Sequence, residues 1–230
     1  PAKNNDVVTP ILIDENTQSV TLLYKITVTG QPTAAFEVTD ASTTLAYAAS
    51  NTVTQNETTG VYSGNLPAAT NGETSVTLDF YVIRTFDSFP DNSGELTNNV
   101  SLTGGDGDEE KVPYEKKALV TITKQFVGLD DGITKPTLTI ELENTVEGTT
   151  PEKVTLSETS NGTYVYSGRV PAGTYKVKET LGTVQYYTLD STELKNGNDT
   201  VRDLTFEVKN GETHSYTLVN TYSKNNPDNA

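Results

Sequence analysis

A period of two runs through most of the chain. Between Ser19 and Thr29, the residues Val20, Leu22, Tyr24, Ile26 and Val28 share one face. Between Ser75 and Ile83, Val76, Leu78, Phe80 and Val82 do the same, and so do Leu96, Asn98, Val100 and Leu102 further on. Successive side chains of a strand point to opposite faces, so these rows predict half-buried β-strands. Phe36 and Val38 open another, with Asp40 on their side, and Val7-Val8 with Ile11-Leu12-Ile13 predict a first strand. The second half repeats the pattern. Val120, Ile122, Lys124 and Phe126 form one row, Leu138, Ile140 and Leu142 a second, and Tyr175, Val177 and Glu179 a third. Val154-Leu156, Tyr164-Tyr166 and Phe206-Val208 predict short strands, and Tyr216, Leu218, Asn220 and Tyr222 close the chain. No segment carries a 3.6-residue period.

Turn residues punctuate these rows. Gly30-Gln31-Pro32, Asn71-Gly72, Asp87 to Gly94, Gly128 to Gly132 and Asn161-Gly162 read as turns or loops, and Asn210-Gly211 as a hairpin turn. The stretch from Thr103 to Glu110 is rich in Gly and acid and is ended by Pro113. It reads as a flexible connector, although its Asp-x-Asp-Glu-Glu cluster also offers calcium hard oxygens without the spacing of an EF-hand loop. The fold class is therefore all-β, in two tandem β-sandwich domains at 1–112 and 113–230, the second ending in a polar tail. The halves share phrases: Tyr62-Ser63-Gly64-Asn65-Leu66-Pro67-Ala68 parallels Tyr166-Ser167-Gly168-Arg169-Val170-Pro171-Ala172. Two β-sandwiches of related style fit this. Lys3-Asn4-Asn5 and Lys224-Asn225-Asn226 echo one another at the two ends, as in one unit of a tandem array.

Composition narrows the function. With 230 residues, each half is long enough for its own core. The 31 acidic against 16 basic residues leave a net charge of −15, which supplies no basic face for nucleic acid. No apolar run is long enough to span a membrane. No signal peptide opens the sequence and no sorting motif closes it, so targeting segments are expected elsewhere or not at all. Cysteine is absent, which excludes disulfides, thiolate metal sites and a cysteine nucleophile. The single histidine, His214, has no Gly-x-Ser-x-Gly elbow to accompany it and reads as an exposed strand residue. No cofactor motif is present.

Three polar residues of the second half break the apolar rows from inside: Lys124, Glu179 and Asn220. An unpaired buried ammonium is costly, and burial disfavours the charged form of both an amine and a carboxyl group. A neutral amine is a nucleophile. A carboxyl group beside it can polarise a carboxamide and shuttle protons. Folding then holds amine against carbonyl carbon, replacing a bimolecular encounter. An amine, a carboxyl group and a carboxamide are the set an intramolecular isopeptide bond needs, with Glu179 as the helper acid and Lys124 joined to Asn220. Such a reaction occurs once per molecule, so it is maturation and not enzyme turnover.

Three motifs now carry a resemblance. They are Thr121-Ile122-Thr123-Lys124, then Gly173-Thr174-Tyr175-Lys176-Val177-Lys178-Glu179, then Leu218-Val219-Asn220-Thr221-Tyr222. Together, over about 117–223, they resemble the CnaB-type domain of Gram-positive pilins and surface adhesins. The resemblance implies a transthyretin-like β-sandwich whose first-strand lysine bonds a last-strand asparagine with help from a glutamate. In the first half, Tyr24-Lys25-Ile26-Thr27-Val28, Phe36-Glu37-Val38-Thr39-Asp40 and Leu96-Thr97-Asn98-Asn99-Val100 resemble the Ig-like CnaA sandwich. There the helper is an aspartate, and Asp40 with Asn98 fits by parity. The lysine is open: Lys3 is better placed by order, and Lys25 points away from Ile26 and Val28.

The resemblance implies a structural stalk or minor-pilin module of a cell-surface adhesin, anchored to a Gram-positive cell wall. Its partners would be other pilin or adhesin domains of the same surface structure, and a host extracellular ligand. No nucleic acid and no membrane contact are expected of this segment. No Tyr-Pro-Lys polymerisation motif is evident; Val112-Pro113-Tyr114-Glu115-Lys116-Lys117 is a distant echo. Two other classes compete. One is a module that binds host matrix protein or glycan directly, for which no aromatic cluster stands out. The other is a carboxylate-pair glycosidase, which the placement of acids in turns and linkers disfavours.

Overall fold

The alternating rows become strands. The computed structural model describes residues 9–48, 53–145, 153–159 and 164–225. Among them the architecture is all-β, in four sheets. The chain divides into two compact units, one containing Glu15–Tyr114 and the other Glu115 onward together with Leu12–Asp14.

β1 (Ile11–Ile13) falls mostly in residues grouped with the second unit. The first unit is built on β2 (Val20–Gly30), β3 (Ala35–Thr39), β4 (Thr44–Ala48), β5 (Thr54–Asn56), β6 (Val61–Asn65), β7 (Val76–Phe86), β8 (Ser93–Leu102) and most of β9 (Gly107–Lys116). One sheet runs β1-β9-β8-β3-β6-β5 and the other β2-β7-β4. β2 and β7 pair antiparallel over their full length, from Val20 opposite Phe86 to Gly30 opposite Val76. The two sheets bury Tyr24, Ile26, Phe36, Val38, Tyr62, Leu78, Phe80 and Val82 between them. The row expected on each strand is the buried row, as period-two patterning requires.

The second unit contains β10 (Ala118–Val127), β11 (Leu138–Asn144), β12 (Lys153–Thr155), β13 (Ser157–Glu158), β14 (Val165–Val170), β15 (Gly173–Leu181), β16 (Tyr187–Asn196), β17 (Asp199–Val201), β18 (Thr205–Val208) and β19 (Thr213–Lys224). Its sheets run β13-β14-β10-β19-β16-β17 and β12-β11-β15-β18. Val120, Ile122, Ile140, Leu142, Leu194 and Leu218 are wholly buried between them. Each such side chain contributes about 1.5–3 kcal/mol relative to exposure.

The structure differs from the sequence expectations in four respects. The acidic stretch read as a flexible connector is a hairpin instead. Gly104 turns at φ 74°, Gly105 N–H donates to Leu102 O at 3.0 Å, and the acids that follow stand on β9. Asp108, Glu109 and Glu110 are exposed there, which is why their composition imitates a linker. Asn210-Gly211 is a turn, with Gly211 at φ 68°, but it joins β18 to β19 in the opposite sheet and closes no hairpin. β4, β5, β16 and β17 had no counterpart in the expected strands. His214 is part-buried at 15% exposed rather than an open strand residue. Val7-Val8 and Asn161-Gly162 lie outside the described residues.

One glycine fixes the end of β10. Gly128 has φ +84°, and a Cβ there would run into the carbonyl oxygen of Tyr222 on β19. Gly128→Val should therefore destabilise the second unit by at least about 1–3 kcal/mol, the cost of forcing a branched residue into this conformation. Urea unfolding followed by circular dichroism measures it; an unchanged midpoint would show that the β10 exit can relax freely.

Candidate functional site

β10 lies inside its sheet, between antiparallel β14 and parallel β19. Its burial alternates from Ala118 through Lys124, so the lysine continues the inward row of Val120 and Ile122. In the parallel register Lys124 stands opposite Leu218, and Phe126 opposite Asn220. Asn220 thus sits two residues further along the neighbouring strand, on the same inward face. β15 belongs to the facing sheet, where Tyr175 and Val177 are buried and Glu179 follows on their side. Three strands of two sheets therefore bring three polar side chains into one core.

The Glu179 carboxylate bridges the other two groups. Lys124 Nζ is 2.8 Å from Oε1, with side chains 0% and 8% exposed. Asn220 Nδ2 donates to Oε2 at 2.9 Å. Nζ and Oε1 meet as an ion pair, and among the buried polar atoms without a hydrogen-bond partner are Nζ, Oε1, Asn220 Oδ1 and the Tyr222 hydroxyl. Buried polar atoms without partners are uncommon, and a cluster of them signals a strained or reactive site. Phe126 roofs the amine, its ring centroid 5.5 Å from Nζ, and packs edge-on against Tyr164.

Burial lowers the Lys124 pKa below its ordinary value, and the neighbouring Glu179 opposes that in part. A lysine held this way has more of its amine neutral, and so nucleophilic, than one in water. The carboxylate is positioned to exchange protons with Nζ on one side and Nδ2 on the other. The site holds the three groups that acyl transfer from a carboxamide to an amine requires: an amine, a carboxyl group and a carboxamide.

In the first unit Asp40 and Asn98 also meet in the core, at 2% and 4% exposed. Asn98 Nδ2 donates to Asp40 Oδ2 at 2.7 Å. Lys25 is not brought to them: it faces outward, its Nζ 2.7 Å from Asp79. Lys3 lies outside the described residues. The group that does reach Asn98 is Arg84, whose Nη1 donates to Oδ1 at 3.0 Å. Sequence reasoning missed it. Continuing the Val76-to-Val82 row by two reaches Arg84, and by two more Phe86, so the signal was present.

No protein-family model matches the chain, and no curated protein matches it. Among solved structures it is similar to BcpA, the major pilin subunit of Bacillus cereus, at 14% identity over 92% of this chain and 67% of that one, with a TM-score of 0.34. It is also similar to domains D2 and D3 of the major pilin SpaD from Corynebacterium diphtheriae, at 14% identity over 94% and 96% of the two chains, with a TM-score of 0.29. A third similar structure is the Bacillus anthracis TIE protein, at 15% identity and a TM-score of 0.31. The chain covers 94% of itself in that match and spans 39% of the TIE protein's length.

The lysine gives the second unit a pH signature. Its folded pKa is below the ordinary 10.5 that holds when the chain is unfolded. In the window between the two, the unfolded chain binds more protons, so stability rises with pH through that window and is lowest beneath it. In an Asn220→Ala chain, whose amine stays free, the urea midpoint should climb as pH rises toward the ordinary lysine value of 10.5. A Lys124→Met change in the same background should flatten the profile. The series stops short of pH 10.0, because burial raises Tyr216 and Tyr222 above it and their ionisation acts in the opposite sense. Identical slopes in the two variants would remove Lys124 as the source.

Proposed function

We propose that this chain is a structural stalk or minor-pilin module of a bacterial cell-surface adhesin, whose second unit closes itself with an amide bond from Lys124 to Asn220. The observation that carries the reading is the one carboxylate, Glu179, that bridges both groups, within 2.8 Å of the amine and 2.9 Å of the carboxamide nitrogen. An enzyme site would need access for a substrate. Here both reacting groups belong to the chain and lie in its core.

The chemistry follows from that bridge. A proton passes from Nζ to Glu179 Oε1, leaving a neutral amine. Its lone pair attacks the Asn220 carbonyl carbon, giving a tetrahedral centre whose oxygen carries the charge. Glu179 gives its proton to Nδ2 and takes the second proton from Nζ, the C–Nδ2 bond breaks, and the departing ammonia carries that last proton away as ammonium, which restores the carboxylate. The carbonyl re-forms, and one amide joins β10 to β19. No oxidant or cofactor is consumed. Positioning of this kind can supply about 7–11 kcal/mol of the barrier relative to free reactants.

The product suits a load-bearing role. The bond would close nearly the whole second unit into one loop, and by analogy with a disulfide across about 100 residues this contributes roughly 4–5 kcal/mol. It also converts the most buried charge of the core into a neutral amide. A covalent tie between first and last strands of the unit leaves few open states for proteases. Placement on a cell surface, and assembly with other domains of the same surface structure, belong to this reading.

Intact mass measures the bond directly. The chain should weigh one ammonia less than its sequence. Glu179→Ala should keep the β-fold by circular dichroism and regain the full mass. A wild-type chain at its sequence mass would falsify the proposed bond, and a deficit surviving Glu179→Ala would remove Glu179 as the helper.

A further inference from the structure

The two units contain the same hydrogen bond set in different company. In each, a carboxamide Nδ2 donates to a buried carboxylate: Asn98 to Asp40 at 2.7 Å, and Asn220 to Glu179 at 2.9 Å. They differ in the cation and in where it sits. In the second unit the cation is an amine beside the carboxylate, and the carboxamide oxygen has no hydrogen-bond partner. In the first it is the Arg84 guanidinium, bonded to the carboxamide oxygen itself at 3.0 Å. Arg84 comes from the inward row of β7, and its Cζ lies 4.7 Å from the Phe86 ring centroid, which braces the guanidinium from below the site.

We propose that Arg84 makes this site a non-covalent clasp, so that Asn98 remains a carboxamide and the first unit carries no cross-link there. The cation this site holds is a guanidinium, and neither described lysine of the unit pairs there. The guanidinium's lone pairs are delocalised, and it offers donors only. It therefore cannot attack the carbonyl it holds. Both ends of the Asn98 side chain are engaged, the nitrogen by Asp40 and the oxygen by Arg84.

The described lysines of the unit are also committed elsewhere. Lys25 pairs with Asp79, and Lys111 with Glu109 at 3.0 Å and Glu95 at 3.6 Å. Lys25 borders a cavity of about 340 Å³ that Asn98 borders too. Its ammonium is nevertheless held on the outer face by Asp79, with both side chains substantially exposed.

A mechanical consequence follows, and it rests on the Lys124–Asn220 reading above. Under tension the second unit would be tied through its bond, while the first is held by hydrogen bonds and packing alone. The first unit is then the element that yields, and the second the element that holds.

Peptide mapping by mass spectrometry tests the chemical claim on the chain as it is. The protease fragment containing Asn98 should appear linear and at its unmodified mass. An Asn98 fragment joined to a lysine fragment, that of Lys3 or any other, with ammonia lost, would overturn the proposal. Arg84→Met should lower the melting midpoint of the first unit while leaving the mass of the second unit's Asn220 fragment as in wild type. An unchanged midpoint would show that Arg84 clasps nothing. Pulling the chain between its ends separates the two readings. One extension event, releasing the length of the first unit, is expected. No extension means that the first unit is locked, and the clasp is wrong. Two events mean that the Lys124–Asn220 bond is missing, while the clasp stands.

Discussion

The Glu179 carboxylate is the group on which the second unit's core depends. A wholly buried ammonium needs an opposite charge against it or must give up its proton, and removing one partner of such a pair typically costs about 3–5 kcal/mol. Lys124 finds its counter-charge on a strand of the other sheet. That requirement fixes register as well as energy. A one-residue slip of β15 would turn Glu179 to solvent and bring Lys178 into the core. A slip of β19 would replace Asn220 by Val219 or Thr221 opposite Phe126. Hydrophobic rows alone tolerate some exchange of neighbours. Three polar groups that must meet allow only one alignment of β10, β15 and β19.

The contrast between the units shows how one change of cation alters the outcome of a shared arrangement. An amine pressed into an apolar core can lose its proton, because burial penalises its charge more than it penalises the neutral form. A guanidinium accepts burial differently: it keeps its charge and spreads it over several donors. The first is the reagent in the proposed bond. The second is a hydrogen-bond anchor: Asn98 accepts from Arg84 and donates to Asp40.

Much of this was legible in the sequence because strand burial has a period of two. Lys124, Glu179, Asn220, Asp40 and Asn98 were all found as polar residues on apolar rows, and each lies on the inward side. Arg84 escaped because a charged residue after Val82 reads as the end of a strand, whereas β7 continues to Phe86. β16 escaped for a different reason. Only Tyr187 and Leu194 are buried along it, so it has no row to read; its ladder with β19 holds it in place. The acids of β9 carry the composition of a connector because they stand exposed on a paired strand. Asn210-Gly211 shows the limit of turn chemistry: the residues specify that the chain reverses, and nothing local specifies which sheet the next strand joins.

The place of the proposed bond also matters for how force would travel. β10 and β19 are parallel neighbours, so pulling the start of β10 against the end of β19 shears their ladder and loads its hydrogen bonds together. Lys124 lies past the middle of β10, and Asn220 lies four residues before the end of β19. With the two joined, tension entering at Ala118 passes along β10 to Lys124, crosses to Asn220, and leaves through Lys224. Everything between those two residues in sequence, including β11 to β18, lies off that path. The core that positions Glu179 would then be needed to make the bond, and would bear little of the load once it is made.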